Sequence, residues 1–300
     1  MPSIVLVAFG VMGLGWLCRR IGVLAAQADR PFNDYLYYIA MPALILDKLT
    51  SAGLADVDRA LLAANALPGL LLIAGLLFAH RLGFLKKNGG ELLLCSALGN
   101  TVYLGFPLTA MRFGEDAVST ASVVTSVQNL TVFTAGFAAL ALATGQGKGQ
   151  AGKVLGGNIL LWSSVLGGTL AFLGIRLHGP LEKMIALLGS GAAPLALFSL
   201  GMFLHGKPLG RRPWAVARLC AFKLLVFPAL FLVCAKLFSL RGPGAGVSLL
   251  ESLMPLAVTN FVLAQKLGLD EELVAESILA STLASIPILL AFDRLLALVN

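Results

Sequence analysis

Gly99-Asn100-Thr101-Val102-Tyr103-Leu104-Gly105-Phe106-Pro107 is the stretch whose reading decides the fold. It lies in an apolar run, 91–111, long enough to cross the hydrocarbon core of a bilayer. It is nevertheless poor material for an unbroken helix. Pro107 has no backbone N–H and its ring collides with the carbonyl one turn back, while the glycines loosen the same region. A break is expected here. Met254-Pro255-Leu256-Ala257-Val258-Thr259-Asn260 repeats the theme in a second run, 246–266, again placing a proline and an asparagine near the middle. Two broken spans that cross are expected. In lipid, backbone groups freed by a break are tolerated only where a cavity, a ligand or polar side chains satisfy them.

The surroundings of these stretches are those of a membrane protein. Of 300 residues, 58% are hydrophobic and 12% charged, with mean hydropathy +0.89. A water-facing surface of ordinary charge density cannot be assembled from that composition. Apolar runs near 2–18, 31–49, 60–80, 91–111, 116–144, 154–175, 181–204, 213–238, 246–266 and 271–298 predict ten transmembrane helices. The formal charge of +7 falls in short connections, where topology explains it, and nucleic acid is excluded as a partner. Lys and Arg concentrate in the connections after spans 1, 3, 5, 7 and 9, including Arg19, Arg20, Lys86, Lys87, Arg211 and Arg212. The positive-inside rule makes these cytoplasmic and puts both termini on the outer side. Arg19 and Arg20 follow the first apolar run rather than precede it, the reverse of a cleaved signal peptide, so the first helix is expected to stay.

Gly145 to Lys153 reads as a linker dividing the chain in half. Ala40-Met41-Pro42-Ala43-Leu44 in span 2 answers to Ala193-Pro194-Leu195-Ala196-Leu197 in span 7, Pro68 to Pro228, and Arg112–Asp116 to Lys266–Asp270. The common order of the matches predicts two repeats, 1–144 and 154–300, joined by a short cytoplasmic linker at 145–153. Five helices per repeat is an odd number, so the copies have inverted topology, an arrangement typical of alternating-access transporters.

A half-helix that begins at a crossing presents unpaired N–H groups and the positive end of its dipole to the membrane interior. That suits a carboxylate without any fixed cation. Asn100 and Asn260 are placed to line such a site. The competing reading makes the prolines simple kinks and the asparagines ties between helices. Thr125-Ser126-Val127-Gln128-Asn129-Leu130-Thr131 is too polar for a lipid-facing helix, so Gln128 or Asn129 lines a substrate path or bonds between helices. Lys223 is the deepest cation, a candidate charge partner for substrate, although a stem running to the cytoplasmic interface or a bond to free carbonyls is the stronger expectation. Glu251 and Glu276 are candidates to accept a coupling proton, although a position near helix ends would leave them merely solvated, and His80, His178 and His205 are expected in connections or at helix ends, solvated at the interface. No metal-ligand spacing appears around Cys18, Cys95, Cys220 and Cys234, which read as free thiols. H-E-x-x-H and G-x-S-x-G are both missing from the sequence. An enzyme is not expected, and neither is a cofactor.

Asn100-Thr101-Val102-Tyr103-Leu104-Gly105-Phe106-Pro107-Leu108 resembles the N-T-x-x-x-G-x-P-L stretch of the auxin efflux carrier family, which includes the plant PIN carriers and bacterial relatives. Ile39–Leu44 and Pro255–Lys266 extend the likeness over nearly the whole chain. The resemblance implies the bile acid/sodium symporter-like, NhaA-like fold, with scaffold helices 1, 2, 6 and 7, transport helices 3–5 and 8–10, and Pro42 and Pro194 shaping the scaffold. It implies elevator-type transport of a small organic anion, auxin-like in plants and malate or malonate in bacteria. Substrate would lie beside the crossing, where Asn100 and Pro107 match the family's helix 4 crossover and Pro255 its helix 9 crossover; with the residues read above, the candidate substrate-binding set is Asn100, Thr101, Gly105, Pro107, Gln128, Asn129, Pro255, Thr259 and Asn260. The expected setting is a bacterial inner membrane, the expected assembly a homodimer, and the expected coupling to protons or sodium. The alternatives are a sodium-coupled bile-acid-type symporter, or a channel or receptor on the same fold.

Overall fold

The computed structural model describes residues 1–25, 27–52, 58–85, 88–144, 152, 156–207 and 209–299. Nearly all of the predicted linker, and Lys86 and Lys87, lie outside the described residues. Among the described residues the secondary structure is helical, apart from one isolated antiparallel bridge between Gly99 and Leu256. Six helices among the described residues are long and apolar enough to cross a membrane: Pro2–Arg20, Arg59–Arg81, Ala117–Ala143, Gly179–Leu204, Pro213–Leu237 and Glu271–Leu290. The protein is an integral membrane protein. The chain divides into two compact units.

The first unit comprises Met1–Asp58, Thr101–Ser126 and Asn158–Gly206. It holds helices α1 (Pro2–Arg20), α2 (29–52), α5 (101–113), the start of α6 (117–144), α7 (Ile159–Phe172) and α8 (Gly179–Leu204, with a turn at Gly191). Its helices pack through small residues, the usual solution where lipid offers no hydrophobic drive for association. A Cβ on Gly15 would strike the Phe198 carbonyl, and one on Gly201 the Met12 carbonyl, so α1 and α8 meet main chain to main chain. Gly189 lies likewise against the backbone of Leu44, and Gly167 against the Leu49 side chain. Polar ties are few. Ser199 Oγ donates to Asn33 Oδ1 at 2.9 Å, and the Asn158 side chain caps α7 by accepting the Leu161 N–H at 3.1 Å.

The second unit comprises Arg59–Asn100, Val127–Gly157 and Lys207–Asn300. It holds α3 (Arg59–Arg81), α4 (Gly89–Cys95), the remainder of α6, α9 (Pro213–Leu237), α10 (Gly242–Ser252), α11 (Thr259–Leu267), α12 (Glu271–Leu290) and α13 (Phe292–Leu296). At one end α12 is tied down by charge. Asp270 caps it through Leu273 N–H and pairs with Arg212. Glu91 Oε1 accepts the Asp270 N–H at 3.0 Å, and Glu276 Oε1 accepts the Arg211 N–H at 2.9 Å.

Three prolines are accommodated by one device. Pro42, Pro107 and Pro228 each follow a five-residue π-helical turn, Leu36–Ala40, Thr101–Gly105 and Phe222–Val226. The widened turn moves the preceding carbonyls off the proline ring and absorbs the missing N–H without stopping the helix. This displaces the expected break in the fourth span. Pro107 sits inside a continuing helix, and the chain leaves helical geometry earlier, at 96–100. In the ninth span the break falls where expected, at 253–258, and Asn260 enters the first turn of α11.

Candidate functional site

The site is built on the two interruptions, 96–100 and 253–258, both within the second unit. α10 has 11 residues and α11 has 9, each rising only roughly 1.5 Å per residue, so neither half-helix crosses a bilayer core alone. Their freed backbone groups find one another. The Asn100 N–H donates to Pro255 O at 2.8 Å and the Ala257 N–H to Leu98 O at 3.2 Å, forming a short antiparallel clasp. Leu256 N–H is taken by Ser281 Oγ of α12 at 3.1 Å. Asn260 Nδ2 donates to Leu98 O at 3.2 Å, so one asparagine reaches back to the other interruption. Two side-chain atoms are left over. Asn100 Nδ2 and Asn260 Oδ1 are buried with no hydrogen-bond partner, in residues only 3% and 0% exposed. An unmatched buried amide costs about 1–3 kcal/mol, so a donor and an acceptor kept in that state call for an explanation.

Lys223 enters the same region from α9. Its ammonium is buried, donates to Ser252 O at 2.9 Å, and lies 4.3 Å from the Phe227 ring centroid. Of the two expected outcomes, the bond to a free carbonyl is the one observed, and its stem does not run to an interface. A Cβ on Gly99 would come within 2.9 Å of Lys223 Cε, so the absence of a side chain at residue 99 gives the lysine room beside the clasp. Ser281 belongs to a stripe, Ser277, Ser281 and Ser285, spaced one turn apart and fully buried on α12.

The other predicted residues have different partners. Pro255 supplies its carbonyl to the clasp, and Thr259 opens α11. Thr101, Gly105 and Pro107 are buried in α5 of the first unit. Gln128 bonds between helices: its Nε2 donates to Asn65 Oδ1 at 3.1 Å, and Asn65 Nδ2 donates to Ser248 Oγ and Leu61 O, both at 2.9 Å. Asn129 is buried nearby in sequence. Asn65 was missed from sequence, yet a lone amide in the apolar 23-residue α3 is the signal that finds it. Replacing Asn65 by Leu strands both Gln128 and Ser248. The expected loss is about 2 kcal/mol, and Gln128→Leu in the same background should restore part of it, as read by thermal unfolding of purified protein. The expectation for the two deep glutamates is corrected. Glu251 and Glu276 are 0% and 2% exposed, hence not solvated at helix ends. His80 is half-buried, its ring nitrogens facing Leu85 O at 2.9 Å and Ala143 O at 3.1 Å. Among the described residues no group of His, Cys, Asp and Glu could hold a metal ion.

An apolar helical protein with a polar clasp inside it has the attributes of a membrane carrier, and comparison with known sequences decides the family. Residues 3–152 and 158–292 match the family described as "Membrane transport protein". The chain belongs to that family. This transport protein is 29% identical over 295 residues to a Rhizobium meliloti (strain 1021) protein named "Putative malonate transporter", covering 95% of this chain and 92% of the relative. It is 23% identical over 352 residues to auxin efflux carrier component 8 of Arabidopsis thaliana, covering 96% and 95%. With auxin efflux carrier component 1 of the same plant it shares 28% over 128 residues, 41% of this chain and 20% of that one. The kinship with auxin efflux carriers expected from the Asn100–Leu108 motif is therefore found.

Proposed function

We propose that this membrane transport protein is a secondary carrier of a small organic anion, of the malonate, malate or auxin-like carboxylate class, that binds at Asn100 and Asn260. The observation that carries this reading is the pair of buried, unpartnered amide atoms beside the clasp. Asn100 Nδ2 donates to a carboxylate oxygen. Asn260 Oδ1, whose amide is oriented by the bond from Nδ2 to Leu98 O, accepts from a hydroxyl or a second, protonated carboxyl group. The favoured substrate thus carries a donor beside its carboxylate, as malate or half-protonated malonate does. The extensive similarity to a relative named for malonate supports the same class.

Movement in this reading is of the elevator type, with ten helices arranged as two inverted repeats and the scaffold drawn from helices 1, 2, 6 and 7. The inverted repeats supply the two equivalent end states that alternating access requires. The proposed setting is a homodimer in a bacterial inner membrane, with both termini outside. The test is thermal unfolding of purified protein with malonate, malate or indole-3-acetate against chloride at equal ionic strength. A bound anion stabilises by mass action, about 2.7 kcal/mol at a concentration a hundred times Kd. A saturable rise in melting temperature with at least one carboxylate is expected. Indifference to every carboxylate across that range would count against an anion site.

A further inference from the structure

We propose that the Lys223 ammonium is a tethered cation that occupies the cation position at the C-terminal end of α10, so that this protein needs no sodium or other free monovalent cation there. A helix C-terminus leaves its last carbonyls unpaired and carries the negative end of the dipole. At the ends of interrupted membrane helices such carbonyls are where coupling cations are coordinated. α10 ends at Ser252, directly before the interruption. The Ser252 carbonyl oxygen receives the ammonium at 2.9 Å, and the face of Phe227 lies 4.3 Å from Nζ on another side. A carbonyl oxygen and an aromatic face are electron-rich and offer no proton. Together they suit an alkali cation or an alkylammonium and reject an anion. Glu251 lies in the last turn of the same helix and is fully buried.

Residue 99 in the opposite interruption leaves this path open: a Cβ there would stand 2.9 Å from Cε and 3.1 Å from Nζ, and the end of the lysine would have to shift. Gly99 and Lys223 are therefore one device, a gap and the charge that passes through it. Lys223 is 1% exposed. A dissolved cation seeking the Ser252 carbonyl competes with a ligand attached to the same chain, present at an effective concentration of about millimolar or more. The ammonium lies beside Gly99, one residue along the chain from Asn100. Describing the bearer as a carrier rests on the reading above. The occupancy of the cation position does not, and its test uses no organic anion.

The full chain, purified in lipid nanodiscs, is unfolded thermally in choline chloride, sodium chloride and ethylammonium chloride at one ionic strength. Wild type should melt at the same temperature in all three. Lys223→Ala, which removes the charge and leaves room for a small cation, should melt several degrees lower in choline and recover in ethylammonium or sodium. Lys223→Gln keeps a donor for Ser252 O but no charge, and should also melt lower in choline and gain from sodium; it decides the matter with wild type if the alanine variant does not fold. Sodium-specific stabilisation of wild type would overturn the proposal. So would Ala and Gln variants that are indifferent to the choice of cation. A cation response in the variants without any carboxylate response in wild type would retain the tethered cation and remove the anion carrier.

Discussion

Asn100→Ala is expected to weaken carboxylate binding by about 10- to 100-fold while leaving the fold in place. A hydrogen bond to a charged partner contributes about 1.5–3 kcal/mol, and each 1.4 kcal/mol is about tenfold in affinity. The side-chain Nδ2 makes no bond within the protein, so its removal strands nothing. The backbone N–H of residue 100 still reaches Pro255 O, and the clasp survives. The concentration of malonate needed for half of the thermal shift should rise by that factor, with the ligand-free melting temperature close to wild type. Asn260→Ala provides the contrast. Its Nδ2 holds Leu98 O, so both the ligand-free melting temperature and the response to malonate should fall. An Asn100→Ala variant that binds malonate as wild type does would remove that residue from the site.

Gly201→Val should be the most damaging single change in the first unit, at about 3 kcal/mol or more. A Cβ at this position meets the carbonyl oxygen, carbonyl carbon and Cα of Met12, all main-chain atoms of α1. A side chain in the way can rotate; a helix backbone can only withdraw. The reciprocal contact of Gly15 with the Phe198 carbonyl means that withdrawal separates α1 from α8 along their whole line of contact. The variant is expected to give little monodisperse protein on gel filtration and a sharply lower melting temperature. Gly10→Ala and Gly13→Ala, where nothing lies within 4 Å of the added Cβ, should behave as wild type.

What could be read from the chain depended on whether a residue carries its meaning alone. The ninth-span interruption was legible because Pro255 lies in the break itself, where helix geometry has already ended. Pro107 misplaced its counterpart, since a single sequence does not reveal that the turn before it widens from α to π spacing. The same widening at Pro42 and Pro228 shows that a membrane proline can mark a widened turn instead of a break. Asn100 and Asn260 stood out as amides beside helix breakers. That Asn260 bonds Leu98 O, 162 residues away in sequence, is tertiary information. Gln128 could line a path or join helices, and only the position of Asn65, 63 residues away, favours the second. The depth of Lys223 was legible, while the carbonyl it serves depended on where α10 stops. The buried serines of α12, at one-turn spacing, formed a visible stripe that periodicity alone would have flagged.

Counterflow in proteoliposomes tests the central claim most directly. Vesicles carrying the wild-type protein are loaded with unlabelled malonate and diluted into a trace of labelled malonate, with choline as the external cation. An alternating-access carrier whose site is closed by Asn100 and Asn260 should accumulate label transiently above its equilibrium level, saturably, and lose that overshoot in Asn100→Ala. Uptake that rises linearly with concentration and shows no overshoot, unchanged in the variant, would contradict the account.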